Sequence, residues 1–375
     1  MKRTAVRVGQ AGVAGVLIGV GVGIGAYNAW WVAVLALVSV GCHNEVPEDI
    51  PSADTRKITI ADRFYDVVAL DEKQTLVFGY AGKILRTEDS GYTWSLVNSG
   101  TDKALYSASF PDATNGWAVG QDGLILHTSD GGKTWARQAT DVPIYLFAVD
   151  FVDAKNGWAV GDKATTVHTT DGGATWVTGK IGSDEKLSAD EALLAQEPVL
   201  YGVRFVDAKT GWIVGEFGNI YHTTDGGASW RTQQETLIGG EDTFDALDIP
   251  TFFGASFANA QNGVTAGLET KLAITADGGA TWAFDKTSIK DSTGDPLYQP
   301  FLFDDATGWA VGAAGLVVQR AAPGVPWQRV SLGMEVNTWL RGVYFRDKND
   351  GWVVGGYGLI LHTTDGGKTW LPALG

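Results

Sequence analysis

One eight-residue pattern, Thr-x-Asp-x-Gly-x-(Thr/Ser)-Trp, returns six times along this chain. The copies run Thr87 to Trp94, Thr128 to Trp135, Thr169 to Trp176, Thr223 to Trp230, Thr275 to Trp282 and Thr363 to Trp370. A seventh, eroded copy lies at Ala321 to Trp327, where the Trp and a Gly-Val-Pro turn survive. The closing tryptophans stand 41, 41, 54, 52, 45 and 43 residues apart. That period is the length of a four-stranded unit, which buries its apolar faces only against copies of itself. The turn chemistry explains the residue types. A short Asp accepts the backbone N–H groups ahead of it, Gly takes the positive φ of the reversal, and Thr or Ser bonds locally. Asp89, Asp130, Asp171, Asp225, Asp277 and Asp365 therefore read as structural residues of an Asp-box turn.

Each copy is preceded by a Gly-x-x-x-Gly strand: NGWAVG at Asn115 and Asn156, TGWIVG at Thr210, NGVTAG at Asn262, TGWAVG at Thr307 and DGWVVG at Asp350. Gln74 to Gly79 is the weaker counterpart in the first unit. Ahead of these lie segments such as LYSASF to Phe110, LFAVDF to Phe151, LYGVRF to Phe205 and LRGVYF to Phe345. Each unit thus reads as strands A to D joined by tight turns, with alternation inside the strands. The expected fold class is all-β: a single seven-bladed β-propeller with Asp-box repeats, closed so that no sheet edge is left over. With 50 Gly and 15 Trp against one Cys, the composition agrees. Residues Lys57 to Ala61 are expected to add an outer strand to the last blade and clasp the ring. Insertions at Ile181 to Pro198, Thr236 to Pro250 and Asp285 to Pro296 fall in D-to-A connections, as an acidic canopy over blades three to six. Ser188 to Glu191 has the form of a capping box before a short helix.

The N-terminus reads differently. No charge interrupts Val8 to Cys42, and the run follows Lys2, Arg3 and Arg7. That is the pattern of a segment entering a membrane with its basic end in the cytoplasm. Ser39-Val40-Gly41-Cys42 resembles the lipobox of bacterial lipoproteins, whose Cys is acylated. Three outcomes stay open: a lipoprotein anchored at Cys42, a retained helix, or ordinary cleavage. The domain reading is 1–41 as signal peptide or membrane anchor, 42–57 as a solvated tether, and 58–375 as the propeller. The expected location is the cell envelope, extracytoplasmic on the periplasmic side and membrane-anchored. A net charge of −15 argues against nucleic acid as a partner.

Counting back four residues from the end of each strand A gives a ring at the axis: Asp66, Tyr106, Phe147, Tyr201, Phe253, Gln299 and Arg341. The position just before the closing residue adds Asp150, Arg204 and Tyr344. Together with Asp66, Tyr106, Phe147, Tyr201, Phe253 and Arg341, these are the candidate partner-binding residues. The B-to-C turns on the same rim contribute Tyr80, Asp122, Asp162, Phe217, Glu269 and Tyr357. Aromatic groups set among acidic ones suit a protein ligand with apolar anchors and basic flanks. His127, His168, His222 and His362 share one repeat position on strand C, roughly 10 Å out from the innermost strand, too far apart to share a metal. They read instead as interblade hydrogen-bonding groups. No catalytic residue, metal or other cofactor is expected.

Units of the form (L/F)-x-x-(V/A)-x-F-x-(D/N)-x-x-x-G-W-x-V-G, followed by G-x-(I/L)-x-x-T-x-D-G-G-x-T-W, resemble the photosystem II stability and assembly factor family. The resemblance covers residues 58–375. It implies a seven-bladed Asp-box propeller acting as a non-enzymatic, extracytoplasmic protein-binding scaffold, which holds a membrane protein client or membrane-associated complex during assembly. The alternative is a secreted, sialidase-like Asp-box glycoside hydrolase. That reading needs two suitably spaced carboxyl groups or a three-arginine cluster with a Tyr nucleophile. Only Asp66, Asp150, Arg204, Arg341 and Tyr344 offer themselves for it.

Overall fold

The computed structural model describes residues 58–182, 197–237, 250–285, 294–322 and 324–373. The leader with Cys42, the tether and the cores of the three insertions, including the expected short helix, lie outside them. Among the described residues, 28 strands form seven four-stranded antiparallel sheets, each in the sequential order A-B-C-D. Strands A line the axis: Phe64–Ala69, Leu105–Ser109, Leu146–Phe151, Leu200–Phe205, Phe252–Phe257, Leu297–Leu302 and Leu340–Phe345. No described helix is long and apolar enough to cross a membrane.

Strand B departs from the expected alternation. All five residues of Gly157–Gly161, Gly211–Gly215 and their counterparts are buried, because both faces of the strand meet a neighbouring blade. Strand D is the exposed outer edge, as at Val177–Lys180.

The repeated residues meet in one stack at each standard junction. The strand B tryptophan of one blade lies flat on the strand A phenylalanine of the next. Trp117 on Phe151 and Trp158 on Phe205 are each 3.6 Å between centroids, Trp212 on Phe257 is 3.7 Å, and Trp309 on Phe345 is 3.5 Å. Behind the Phe sits the first glycine of its own strand B; a Cβ on Gly157 or Gly211 would collide with Phe151 or Phe205. Behind the Trp lies the strand C histidine of its own blade, as in Trp158–His168 at 4.8 Å. The Asp-box tryptophan then meets the Phe edge-on, as Trp176 does Phe151 at 85°. The histidines therefore stack within a blade and do not bridge blades. Burial lowers the pKa of His127, His168 and His222, which keeps these rings neutral and apolar near pH 7.

Interblade hydrogen bonds end on Asp-box glycines. Trp158 Nε1 donates to the Gly226 carbonyl at 2.9 Å and Trp212 Nε1 to Gly278 at 3.3 Å. Gln138 and Gln319 take that place at Gly172 and Gly366. Within the box, Thr169 donates to Asp171, which accepts the Thr175 N–H and hydroxyl. Hydrogen bonds from Thr175, Ser229 and Thr369 hold Asp171, Asp225 and Asp365 down at about 2. The carboxylates are engaged within their own turns.

The clasp is not formed as expected. Blade seven takes all four strands from one stretch, Leu340 to Pro372, and among the described residues no strand before Phe64 joins its sheet; Lys57 lies outside them. Residues 58–63 instead cross the rim. Gly358 N–H donates to the Asp62 carbonyl at 2.8 Å, Arg63 bridges Gly356, and Ile58 packs on the cluster containing Trp352. Outer strands need partners, and the short final strand Leu371–Pro372 already fills that edge.

Trp212→Ala removes a fully buried ring, its stack on Phe257 and its bond to Gly278. Urea unfolding should show a loss of about 3–5 kcal/mol.

Candidate partner-binding channel

Strand pairing places the inner residues in two tiers. In every strand A the first residue is buried in the blade and the second faces the axis. The second position holds Tyr65, Tyr106, Phe147, Tyr201, Phe253, Tyr298 and Arg341. Tyr106, Phe147, Tyr201, Phe253 and Arg341 are thus where the sequence put them, whereas Asp66 and Gln299 are one residue off. The strands of blades one and six end at Ala69 and Leu302, not at the bulkier Leu70 and Phe303 that follow. The ring is six aromatics and an arginine. The buried Phe64 and Leu297 at the first position, matching Leu105 and Leu146, were the signal for Tyr65 and Tyr298.

These side chains touch in sequence around the axis. Centroids are 5.3 Å apart for Tyr65–Tyr106, 5.5 Å for Tyr106–Phe147, 5.4 Å for Phe147–Tyr201, 5.2 Å for Tyr201–Phe253 and 5.4 Å for Phe253–Tyr298. Arg341 fills the seventh slot, its guanidinium 4.9 Å from the Tyr298 centroid. Trp339 stacks on Tyr65 from the rim at 5.6 Å. Burial pushes Tyr106 up to about 12 and raises Tyr65 and Tyr201, so these three carry no phenolate at neutral pH.

Above this tier the channel widens into a cavity of about 900 Å³, lined up to the A-to-B turn residues Pro111, Val152, Asp207 and Asn259. The B-to-C turns contribute nothing to its lining. The aromatic tier is therefore a floor, and the mouth opens on the A-to-B face. On the wall between lie Ser109, Asp150, Arg204, Ser256, Phe301 and Tyr344, the fifth residues of their strands.

Several of these wall residues tie blades together. Ser109, Asp150 and Ser256 each accept the N–H of a strand A residue in the next blade, from Phe151, Phe205 and Leu302 at 2.9, 2.6 and 2.9 Å. Asp150 also pairs with Arg204 at 3.0 Å. Asp66 does the same one step nearer the floor, accepting from Val67 and, across the junction, from Ala108, both at 2.8 Å. Tyr344 packs against Phe301 at 5.4 Å. Asp66 and Asp150 are interblade struts that also face the cavity. Among the described residues, no three His, Cys, Asp or Glu side chains gather as a metal site.

On the opposite rim, large apolar side chains are exposed: Tyr80 at 53%, Phe217 at 52% and Tyr357 at 66%, joined by Tyr145 and Leu268. Phe217 and Tyr357 sit at φ 58° and 59°, the first of two left-handed residues in a type I′ hairpin turn. Asp122 and Glu269 share that position, while Tyr80 and Asp162 precede it. A bulky residue in that region is strained, and such strain gathers where side chains are held for a purpose.

Burial raises Asp66 to about 6, against the hydrogen bonds from Ala108 and Val67 that lower it; its ordinary value is 3.8. The folded state thus holds more protons than the unfolded chain between about pH 4 and 6, so this group's stabilising effect falls as pH rises through that window. Asp66→Asn should flatten the decline in melting temperature between pH 4 and 7 by roughly 2 °C relative to the parent chain. Parallel melts across that range check it.

A family model described as photosynthesis system II assembly factor YCF48 matches residues 51–144, 244–338 and 325–373, more than half of the chain. No curated protein sequence matches. Among similar solved structures, YCF48 from Cyanidioschyzon merolae is 18% identical with a TM-score of 0.63, covering 82% of this chain and 98% of that one. A YCF48 structure described as bound to D1 peptide is 17% identical with a TM-score of 0.63, covering 82% and 94%. A GH74 xyloglucanase from Xanthomonas campestris is 12% identical with a TM-score of 0.66, covering 85% of this chain and 55% of the enzyme. At such identities the structural likeness speaks for the propeller alone. The family match, together with seven blades of which six carry an Asp box, assigns the chain to the photosystem II assembly factor YCF48 family.

Proposed function

We propose that this chain is a non-enzymatic scaffold that holds a protein client outside a membrane and takes part in assembling or stabilising a membrane protein complex. The observation that carries this reading is the axial channel, an open cavity whose floor takes an aromatic ring from each of six blades and an arginine from the seventh. Aromatic and Arg anchors in a recessed site are what a polypeptide ligand needs. Tyr106, Phe147, Tyr201, Phe253 and Arg341 are the proposed floor contacts, with Asp66, Asp150, Arg204 and Tyr344 along the wall. The description of one related structure as bound to D1 peptide supports a polypeptide ligand for this chain too.

Attachment follows from the leader. An uncharged run behind three basic residues supports export, and acylation of Cys42 would hold the propeller at the extracytoplasmic surface of the envelope. The hydrolase alternative lacks a free carboxyl pair. The three acids that line the cavity, Asp66, Asp150 and Asp207, direct their oxygens at backbone N–H groups, and Asp150 also at Arg204.

Affinity capture from solubilised membranes with the full-length chain tests the reading. Phe147→Ala with Tyr201→Ala should lower client recovery by about tenfold or more. Unchanged recovery, with both proteins folded, removes the channel as the site. Turnover of a β-glucan or sialoside that Asp150→Asn abolishes would replace the scaffold by an enzyme.

A further inference from the structure

The seventh slot of the floor differs in kind from the other six. Arg341 stands where every other blade places an aromatic ring, and its charge is felt by Tyr298, Tyr201, Tyr65 and Tyr106, residues from four different blades. Its head therefore lies toward the axis, at the bottom of the cavity. Burial lowers its pKa, yet a guanidinium so placed stays protonated. Among the described residues, no carboxylate lies within 4 Å of it, and the titratable groups that face it are the tyrosines of the floor.

The other ions along the cavity are already matched. Arg204 pairs with Asp150, and Arg346 with Asp347 and Asp350 at 2.8 and 2.9 Å. Asp66 takes the N–H groups of Val67 and Ala108, and Asp207 those of Lys209 and Thr210 at 2.7 and 2.8 Å. Arg341 is left as a partly buried cation with a planar fork of donors and no anion to receive them. A charge partly withdrawn from water and without a counter-ion gains from an anion that enters beside it. One cation matches one negative charge, a planar fork matches a planar carboxylate, and the surrounding rings suit an apolar stem.

From this geometry we infer that the channel floor is a socket for a single carboxylate carried on an apolar or aromatic stem, entering from the A-to-B face and docking on Arg341. The inference rests on the channel being the binding site and names the group it reads. A polypeptide chain end and a small organic acid both carry that group.

Calorimetric titration of the full-length chain in detergent separates these sources and tests the socket. One arm uses N-acetylphenylalanine beside its amide. The other uses an acetylated apolar hexapeptide ending in a free Phe carboxylate, beside its C-terminal amide. At least one acid should bind about tenfold or more tightly than its amide. Arg341→Gln should erase the difference, and Arg341→Lys should keep part of it. Preference in the peptide arm alone identifies a chain end, and preference in both shows that the small acid suffices. Equal binding of acid and amide, no binding of either acid at millimolar concentration, or a preference that survives Arg341→Gln overturns the socket. The acid-against-amide comparison on the parent chain stands even where Arg341→Gln fails to fold. Client capture that still depends on Phe147 and Tyr201, with acid and amide bound alike, keeps the scaffold reading and rejects only this one.

Discussion

Everything in this ring hangs on a flat aromatic pair that crosses from one blade to the next. Trp158 on Phe205 is one instance, and the layers on either side of it, His168 and Gly211, explain why four distant residue types recur in step. The glycine is small because the Phe ring lies against it. The histidine is neutral because burial against the tryptophan lowers its pKa. Stacked pairs of this kind contribute about 0.5–1.5 kcal/mol each beyond their buried area, and the propeller repeats the arrangement around the axis. Where one layer is missing, as at Val264 and Leu302 in blades five and six, aliphatic side chains fill the gap.

The blade count and the places of the Asp-box turns were legible in the sequence because both depend on short-range spacing. The axial ring was legible in five blades and misplaced in two, since strand register depends on which residue the neighbouring blade buries. Leu70 and Phe303 are the bulkier candidates to end strands one and six, yet the structure uses Ala69 and Leu302. With a period of two, a slip of one residue exchanges the face presented to the axis. Tyr65 and Tyr298 were hidden behind that slip, and the floor looked less aromatic than it is.

Roles along the wall were harder to foresee for another reason. Asp66 and Asp150 look like functional acids when read one at a time. Their partners, the N–H groups of Ala108 and Phe205, lie 42 and 55 residues further on, and only blade packing brings them together. Arg341 shows the converse. An arginine in the pattern LRGVYF is unremarkable until its neighbours from four other repeats turn out to be uncharged rings.

The missing clasp has a mechanical consequence. Six of the seven junctions are spanned by the chain itself, through the D-to-A connections. The seventh, between blades seven and one, is held by non-covalent contacts: the rim bonds of Asp62 and Arg63, and the edge-on meeting of Trp94 with Trp352 at 5.8 Å. A ring with one unspanned junction is topologically an open band whose ends adhere. That junction can part without breaking a covalent bond or dividing a blade, so the ring's closure depends on the rim segment 58–63 and on the Trp94–Trp352 contact in a way that no other junction does.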